Sequence, residues 1–203
     1  PFLGLGLGLK RRGHVVSLAT LEYYRSLVEA SGLGFSPIRP NLEPTDIPLV
    51  RRIMDARRGS EFLLRQILFP AIEQMYDDIS GAADGADLLV SHPVTFATPI
   101  VAERRRMAWA SAVLAPTSMF SVYDYPAVPP APWLKSLQWL GRWPGRVIVG
   151  VARRETFKWA EPVRRFRARL GLPPGANPVL EGQHSPHLVL ALYSRVLGDP
   201  QPD

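Results

Sequence analysis

Pro1-Phe2-Leu3-Gly4-Leu5-Gly6-Leu7-Gly8-Leu9-Lys10-Arg11-Arg12-Gly13-His14-Val15-Val16-Ser17-Leu18-Ala19-Thr20 reads as an apolar helix, a basic last turn, a glycine stop and a buried strand. Proline suits a helix start, where its missing N–H costs nothing. Lys10, Arg11 and Arg12 suit the negative end of the helix dipole, and Gly13 suits the left-handed residue that closes it. A helix of this kind returns from an earlier strand to pack on a parallel sheet. That strand, and the ligand-facing turn after it, are expected before Pro1.

Outward from this stretch, strands and helices alternate. Residues 14–19 read as a strand, 21–31 as an amphipathic helix stopped by Gly32, and 34–39 as a second strand near an edge, marked by Pro37. Residues 41–48 form a loop. Residues 47–57 and 60–80 read as helices, the second with Ser60 as N-cap and a kink at Pro70. After a turn at 81–86, residues 87–91 carry the continuous apolar run of a strand buried on both faces. A helix at 95–106 and a strand at 107–114 follow. Residues 115–132 are a loop rich in aromatics and prolines. Residues 132–170 are helical with a break near Trp143-Pro144-Gly145, then come a loop at 171–178, a last strand at 187–193 and a linker at 198–203. The pattern predicts an α/β fold, a doubly wound Rossmann-like parallel sheet. Sheets of this type carry the first strand at the centre, so the strands present lack a shared neighbour. The expected organisation is one domain over 1–198, with 199–203 starting a linker.

The 203 residues are 46% hydrophobic and 21% charged, enough apolar surface for a core and no sign of disorder. The absence of cysteine excludes disulfides, thiolate metal sites and cysteine nucleophiles, and fits a reducing compartment. No stretch reaches the roughly 18–20 apolar residues of a membrane span. The charge is uneven. Between Trp133 and Leu170 ten basic residues face only Glu155 and Glu161, a net +8 that leaves −2 for the rest of a chain of net +6.

Arg12-Gly13-His14-Val15 through Ala19-Thr20 resembles the start of the acceptor domain of two-Rossmann-domain (GT-B) glycosyltransferases, in the bacterial branch with sterol and antibiotic glycosyltransferases. The resemblance covers nearly the whole chain and is strongest at residues 12–20, 87–132 and 187–203. In that family a first strand ends in a Gly-rich loop carrying the catalytic His or Asp, and a proline follows a few residues later. The resemblance makes Pro1 that proline and places the catalytic base before it. Asp199-Pro200-Gln201-Pro202-Asp203 resembles the exit from the acceptor domain, with a nucleotide-sugar domain to follow.

Several constellations could carry chemistry. Gly4-x-Gly6-x-Gly8 lacks the preceding strand and third glycine of a dinucleotide fingerprint, and instead suits close packing of helix on sheet through Gly4 and Gly8. Ser91 and His92 sit at a strand's carboxyl end, where open α/β sheets bind ligands. With Phe96 they match the family's acceptor-lining loop. In plant relatives an Asp near the His92 position orients the catalytic His, and this chain has none there. His92 is a candidate for acceptor contact or assistance in proton transfer, and equally for capping the next helix. Ser118, Phe120, Tyr123 and Asp124 follow the next strand end. Aromatic and Met side chains there suit a large apolar acceptor, or a proline-rich loop packed on the sheet edge. The basic segment with Trp133, Trp139, Trp143, Phe157, Trp159 and Phe166 suits a solvated helix face, a contact with an anionic membrane, or nucleic acid, in that order. Pro186 argues against a helical metal pair between His184 and His187.

The resemblance implies part of an inverting hexosyltransferase. The donor is a UDP- or dTDP-sugar held mainly by a second domain, the acceptor is a hydrophobic sterol, lipid or polyketide-like hydroxyl, and no cofactor or metal is involved. It further implies a cytoplasmic protein, with a peripheral contact at the inner membrane face and no nucleic acid. Two rivals stand beside it. One is a non-enzymatic α/β module binding an apolar ligand or membrane surface. The other is a sugar-nucleotide epimerase of the same architecture.

Overall fold

A computed structural model describes residues 1–119, 121–125 and 132–198. Helix α1 (Phe2–Arg11) runs from Pro1 to a turn in which Gly13 takes φ +90, a value that favours glycine. It packs on β1 (Ser17–Thr20). The strand is shorter than the apolar run predicts. Its first ladder bond forms only where Gly34 N donates to the Val16 carbonyl, and Val15 is fully exposed. A 3₁₀ turn (Glu22–Tyr24) and α2 (Arg25–Ala30) lead through Gly32, at φ +72, into β2 (Gly34–Pro37), which pairs with β1 in parallel.

The contact glycine of α1 is Gly6, not Gly4 or Gly8. A Cβ on Gly6 would lie 2.9 Å from Leu33 Cδ1, whereas Gly4 faces open space and Gly8 meets only the end of Arg11.

Helix α3 (Ile47–Ile53) is capped by Asp46, whose carboxylate accepts the Leu49 N–H at 3.0 Å. Ser60 is not an N-cap. It lies inside α4 (Gly59–Phe62), and the turn before that helix is held instead by Asp55, which accepts the Arg57 and Arg58 N–H groups. Helix α4 widens into a π-helical stretch, Leu63–Leu68, closed by Phe69 N on the Leu64 carbonyl. Pro70 then ends it, as its missing N–H requires, and α5 (Ile72–Ala82) starts afresh.

The second half repeats the pattern with β3 (Leu88–Ser91), α6 (Thr98–Arg105), β4 (Ala108–Val113) and, after two long helices, β5 (Val189–Ala191). Those helices are α7 (Arg142–Trp159) and α8 (Glu161–Arg169), preceded by a 3₁₀ run, Pro132–Leu140. The helical breaks fall at Gly141, with φ +77, and at Ala160, not at residues 143–145. Pro144 sits in the first turn of α7, where no intrahelical N–H bond is needed.

All strand pairs are parallel, in two groups: β1 with β2, and β3-β4-β5 in that order. No ladder joins the groups among the described residues. Helix α5 packs on β1 and β2, and α6 on β3 and β4. Ile72 and Met75 on α5, Ile100 and Val101 on α6, and Val163 and Phe166 on α8 build the core with Phe69 and Phe96, all buried together. Each such side chain contributes roughly 1.5–3 kcal/mol by leaving water.

Two ion pairs tie helices to this core. Arg39 reaches Asp78 on α5 with its backbone N–H, Nε and a terminal nitrogen. Buried Arg167 on α8 pairs with Glu103 on α6 at 2.6 Å and donates Nε–H to the Pro173 carbonyl. Among the described residues no helix is long and apolar enough to cross a membrane. The expected linker, 199–203, lies outside the described residues.

Candidate functional site

Because β3, β4 and β5 are parallel, their carboxyl ends share one edge. Ser91, Val113 and Ala191 close the three strands there, and the segments that follow them gather above that edge.

Ser91 is buried and registers with Ser111 on β4. His92 is half-buried. Its Nδ1 accepts the Val94 N–H at 3.3 Å, so the ring proton sits on Nε2. Its carbonyl accepts Thr95 twice, from the backbone N–H and from Oγ1. Burial holds the imidazole below the ordinary histidine range. Near neutral pH the ring is therefore uncharged and offers one free donor, Nε2–H. It caps the 92–95 turn rather than α6, whose N-cap is Ala97 without a side-chain bond. The Phe2 ring stands edge-on, 6.2 Å away, which brings the start of α1 to this strand end.

The loop after β4 holds the other candidates. Ser118 ends a 3₁₀ turn, Pro116–Ser118. Ser121 is buried, and its Oγ accepts the N–H groups of Tyr123 and Asp124. Tyr123 is 42% exposed and faces solvent above the edge. Asp124 lies 4.0 Å from Lys135 Nζ, an exposed pair of small energetic weight. Phe120 lies outside the described residues. Phe96 is 4% exposed and packs on Phe69 at 5.1 Å, so its ring is committed to the core beneath the site. The structure thus groups Ser91 and His92 on one loop and Ser118, Tyr123 and Asp124 on the next.

Sequence reasoning missed the residues that hold the second loop. Tyr125 is fully buried and donates its hydroxyl to the Leu134 carbonyl at 2.9 Å. Gly145 on α7 lies so close that a Cβ there would overlap the Val122 carbonyl. Gln183 and His184 reach the Ser118 carbonyl from the segment before β5. No alternation in 121–125 singles out Tyr125, and the partners at 183 and 184 leave no local trace.

An open groove of about 420 Å³ runs along α1, lined by Gly4, Leu5, Gly8, Leu9, Arg11 and Arg12 and by none of the candidate residues. No group of three or more His, Asp or Glu able to hold a metal occurs among the described residues, His184 and His187 included.

No family model matches the chain. It is 34% identical over 199 residues to O-mycaminosyltylonolide 6-deoxyallosyltransferase of Streptomyces fradiae, an alignment covering 93% of this chain and 45% of that protein. The UDP-sugar-dependent glycosyltransferase 52 of Dictyostelium discoideum is 30% identical over 133 residues, covering 64% of this chain and 8% of that protein. Among solved structures, the glycosyltransferase of kitacinnamycin aligns with a TM-score of 0.53 at 19% identity, over 100% of this chain and 44% of that one. SnogD of Streptomyces nogalater aligns with a TM-score of 0.50 at 17% identity, over 100% and 51% respectively. The chain spans less than half the length of the curated relatives it matches. By sequence the chain is similar to part of a Streptomyces deoxysugar transferase, and by fold to part of solved GT-B glycosyltransferases.

Proposed function

We propose that this chain is the acceptor-binding half of an inverting hexosyltransferase that glycosylates a hydroxyl on a hydrophobic, polyketide-like acceptor. The observation that carries the reading is the 34% identity, across nearly the whole chain, to an enzyme named for transferring a deoxysugar to O-mycaminosyltylonolide. In the reaction a base removes the acceptor hydroxyl proton. The oxygen then forms a bond to the anomeric carbon, and the bond to the nucleoside diphosphate breaks, its electron pair leaving with the phosphate. The base is assigned to no residue of this chain. His92, neutral and with Nε2–H free, suits holding an acceptor oxygen better than taking a proton. A UDP- or dTDP-sugar belongs to the other half of the protein, where a helix N-terminus suits its diphosphate.

Steady-state kinetics of the glycosyltransferase carrying this chain test the reading, with O-mycaminosyltylonolide as acceptor. Tyr123→Ala removes a half-exposed aromatic worth roughly 1 kcal/mol, so acceptor KM should rise about fivefold while donor KM holds. An acceptor KM that stays put, or a donor KM that rises equally, counts against it.

A peripheral membrane contact is a second element of the reading. Its support is the outer face of α7 and the run before it. Trp139, Trp143, Val147 and Val151 are exposed there, beside exposed Arg142, Arg146, Arg154 and Lys158. Aromatic and basic residues sharing one face suit an anionic bilayer surface. Co-sedimentation should favour vesicles with anionic lipid and weaken with salt. Equal binding to neutral vesicles, or none to either, leaves an ordinary solvated helix.

A further inference from the structure

Two segments far apart in sequence meet at one carbonyl. The Ser118 oxygen accepts Gln183 Nε2–H at 3.2 Å and His184 Nε2–H at 2.9 Å, from partners 65 and 66 residues away. A carbonyl has two lone pairs, and side chains use both. Because the partner is an acceptor, Nε2 of His184 carries the ring proton and Nδ1 is a bare acceptor. That Nδ1 is buried with no hydrogen-bond partner. A buried, unmatched polar atom is destabilising. An apolar side chain would fill the space without it, so packing alone does not account for an imidazole here. What an apolar residue could not supply is the Nε2 donor.

The segment bearing this pair is itself anchored. Ser185 N–H donates to Ser111 Oγ at 2.5 Å, and Ser185 Oγ–H donates to the Trp109 carbonyl at 2.6 Å. Ser111, Gln183 and Ser185 are all buried. Residues 183–185 are thus fixed to the interior of β4. They pass that rigidity to the loop beyond β4 at Ser118, one turn before Tyr123 and Asp124.

We propose that Gln183 and His184 are positioning residues. They set the placement of Ser118 and residues 121–125 above the carboxyl edge, and so the fit of the apolar acceptor, without touching it. The acceptor half of this inference rests on the reading under Proposed function; the clamp does not.

Amide hydrogen exchange on the 203-residue chain tests the clamp without turnover. In H184L the amides of residues 121–125 should exchange about tenfold faster, while those of β4 and β5 hold. Q183M should shift them in the same direction. H184Q, whose Nε2 can reach the same carbonyl, should restore the wild-type pattern. Unchanged exchange at 121–125 in both H184L and Q183M overturns the clamp. So does a uniform loss of protection through β4 and β5, which marks a merely structural role. Equilibrium binding of O-mycaminosyltylonolide supplies the second arm. Affinity should fall about fivefold in H184L and recover in H184Q. A loosened loop with unchanged affinity overturns the positioning of the acceptor. No binding by the wild-type chain sinks the acceptor reading and the acceptor half of this inference, while the exchange result still decides the clamp.

Discussion

At His92, burial decides what a titratable group can do. Its Nδ1 is engaged by the Val94 N–H, and burial holds the ring below the ordinary histidine range. The unfolded chain takes up a proton near pH 6.5, where the folded chain resists it. The folded state binds fewer protons as the pH falls, so this contribution is fully present above about 6.5 and lost progressively down through the lower folded value. His92→Asn keeps an acceptor for the Val94 N–H, through Oδ1, but does not titrate. Urea unfolding of the two proteins should therefore diverge below about pH 6.5, with the wild type losing stability more steeply. Parallel pH curves would show that the ring is not desolvated in solution. The presence of His92 at a strand end is legible in the sequence, because a short apolar run followed by Ser-His-Pro marks where the strand stops. Its tautomer is not, because that depends on a turn closing on Nδ1.

At the scale of elements, fit and charge at contact points join the pieces. Gly145 lets α7 approach the 121–125 loop, and Gly145→Ala would drive a Cβ into the Val122 carbonyl. The helix itself favours alanine by about 1 kcal/mol. A net loss of stability, read as a lower thermal midpoint, would therefore show that the overlap outweighs propensity; a gain would show that the loop does not sit on α7. Asp78 ties α5 to the end of β2. The Arg39 guanidinium, and then its backbone N–H, hold the carboxyl below its usual range. A depressed carboxylate stabilises above the unfolded value near pH 4 and loses that contribution as the pH falls through the folded one. The gap in thermal midpoint between wild type and Asp78→Asn should be open at pH 7 and close below about pH 4. A gap that persists in acid would assign the effect to packing. Order and type of the elements are legible in the sequence, since apolar period and glycine stops are local properties. Which of Gly4, Gly6 and Gly8 faces the sheet is not, because that depends on the rotation of α1 against Leu33 and Val16. Ser60 misleads for a similar reason: Asp55, five residues earlier, reaches the same turn first.

At the scale of the whole molecule, parallel strands place every loop of interest at one edge, and that much follows from helix–strand alternation alone. The ties across the edge do not follow from it. Ser118 finds its partners at 183 and 184, and Tyr125 finds Leu134, through contacts that no local pattern records. We propose a division of labour in which this chain recognises the acceptor and nucleotide recognition belongs elsewhere in the protein. Isothermal titration of the 203-residue chain with O-mycaminosyltylonolide, and separately with UDP and dTDP, tests it most directly. Saturable acceptor binding is expected in the range of about 1 μM to 1 mM usual for enzyme substrates, weakened by Tyr123→Ala, with no heat of binding from either nucleotide. Nucleotide binding without acceptor binding would contradict it.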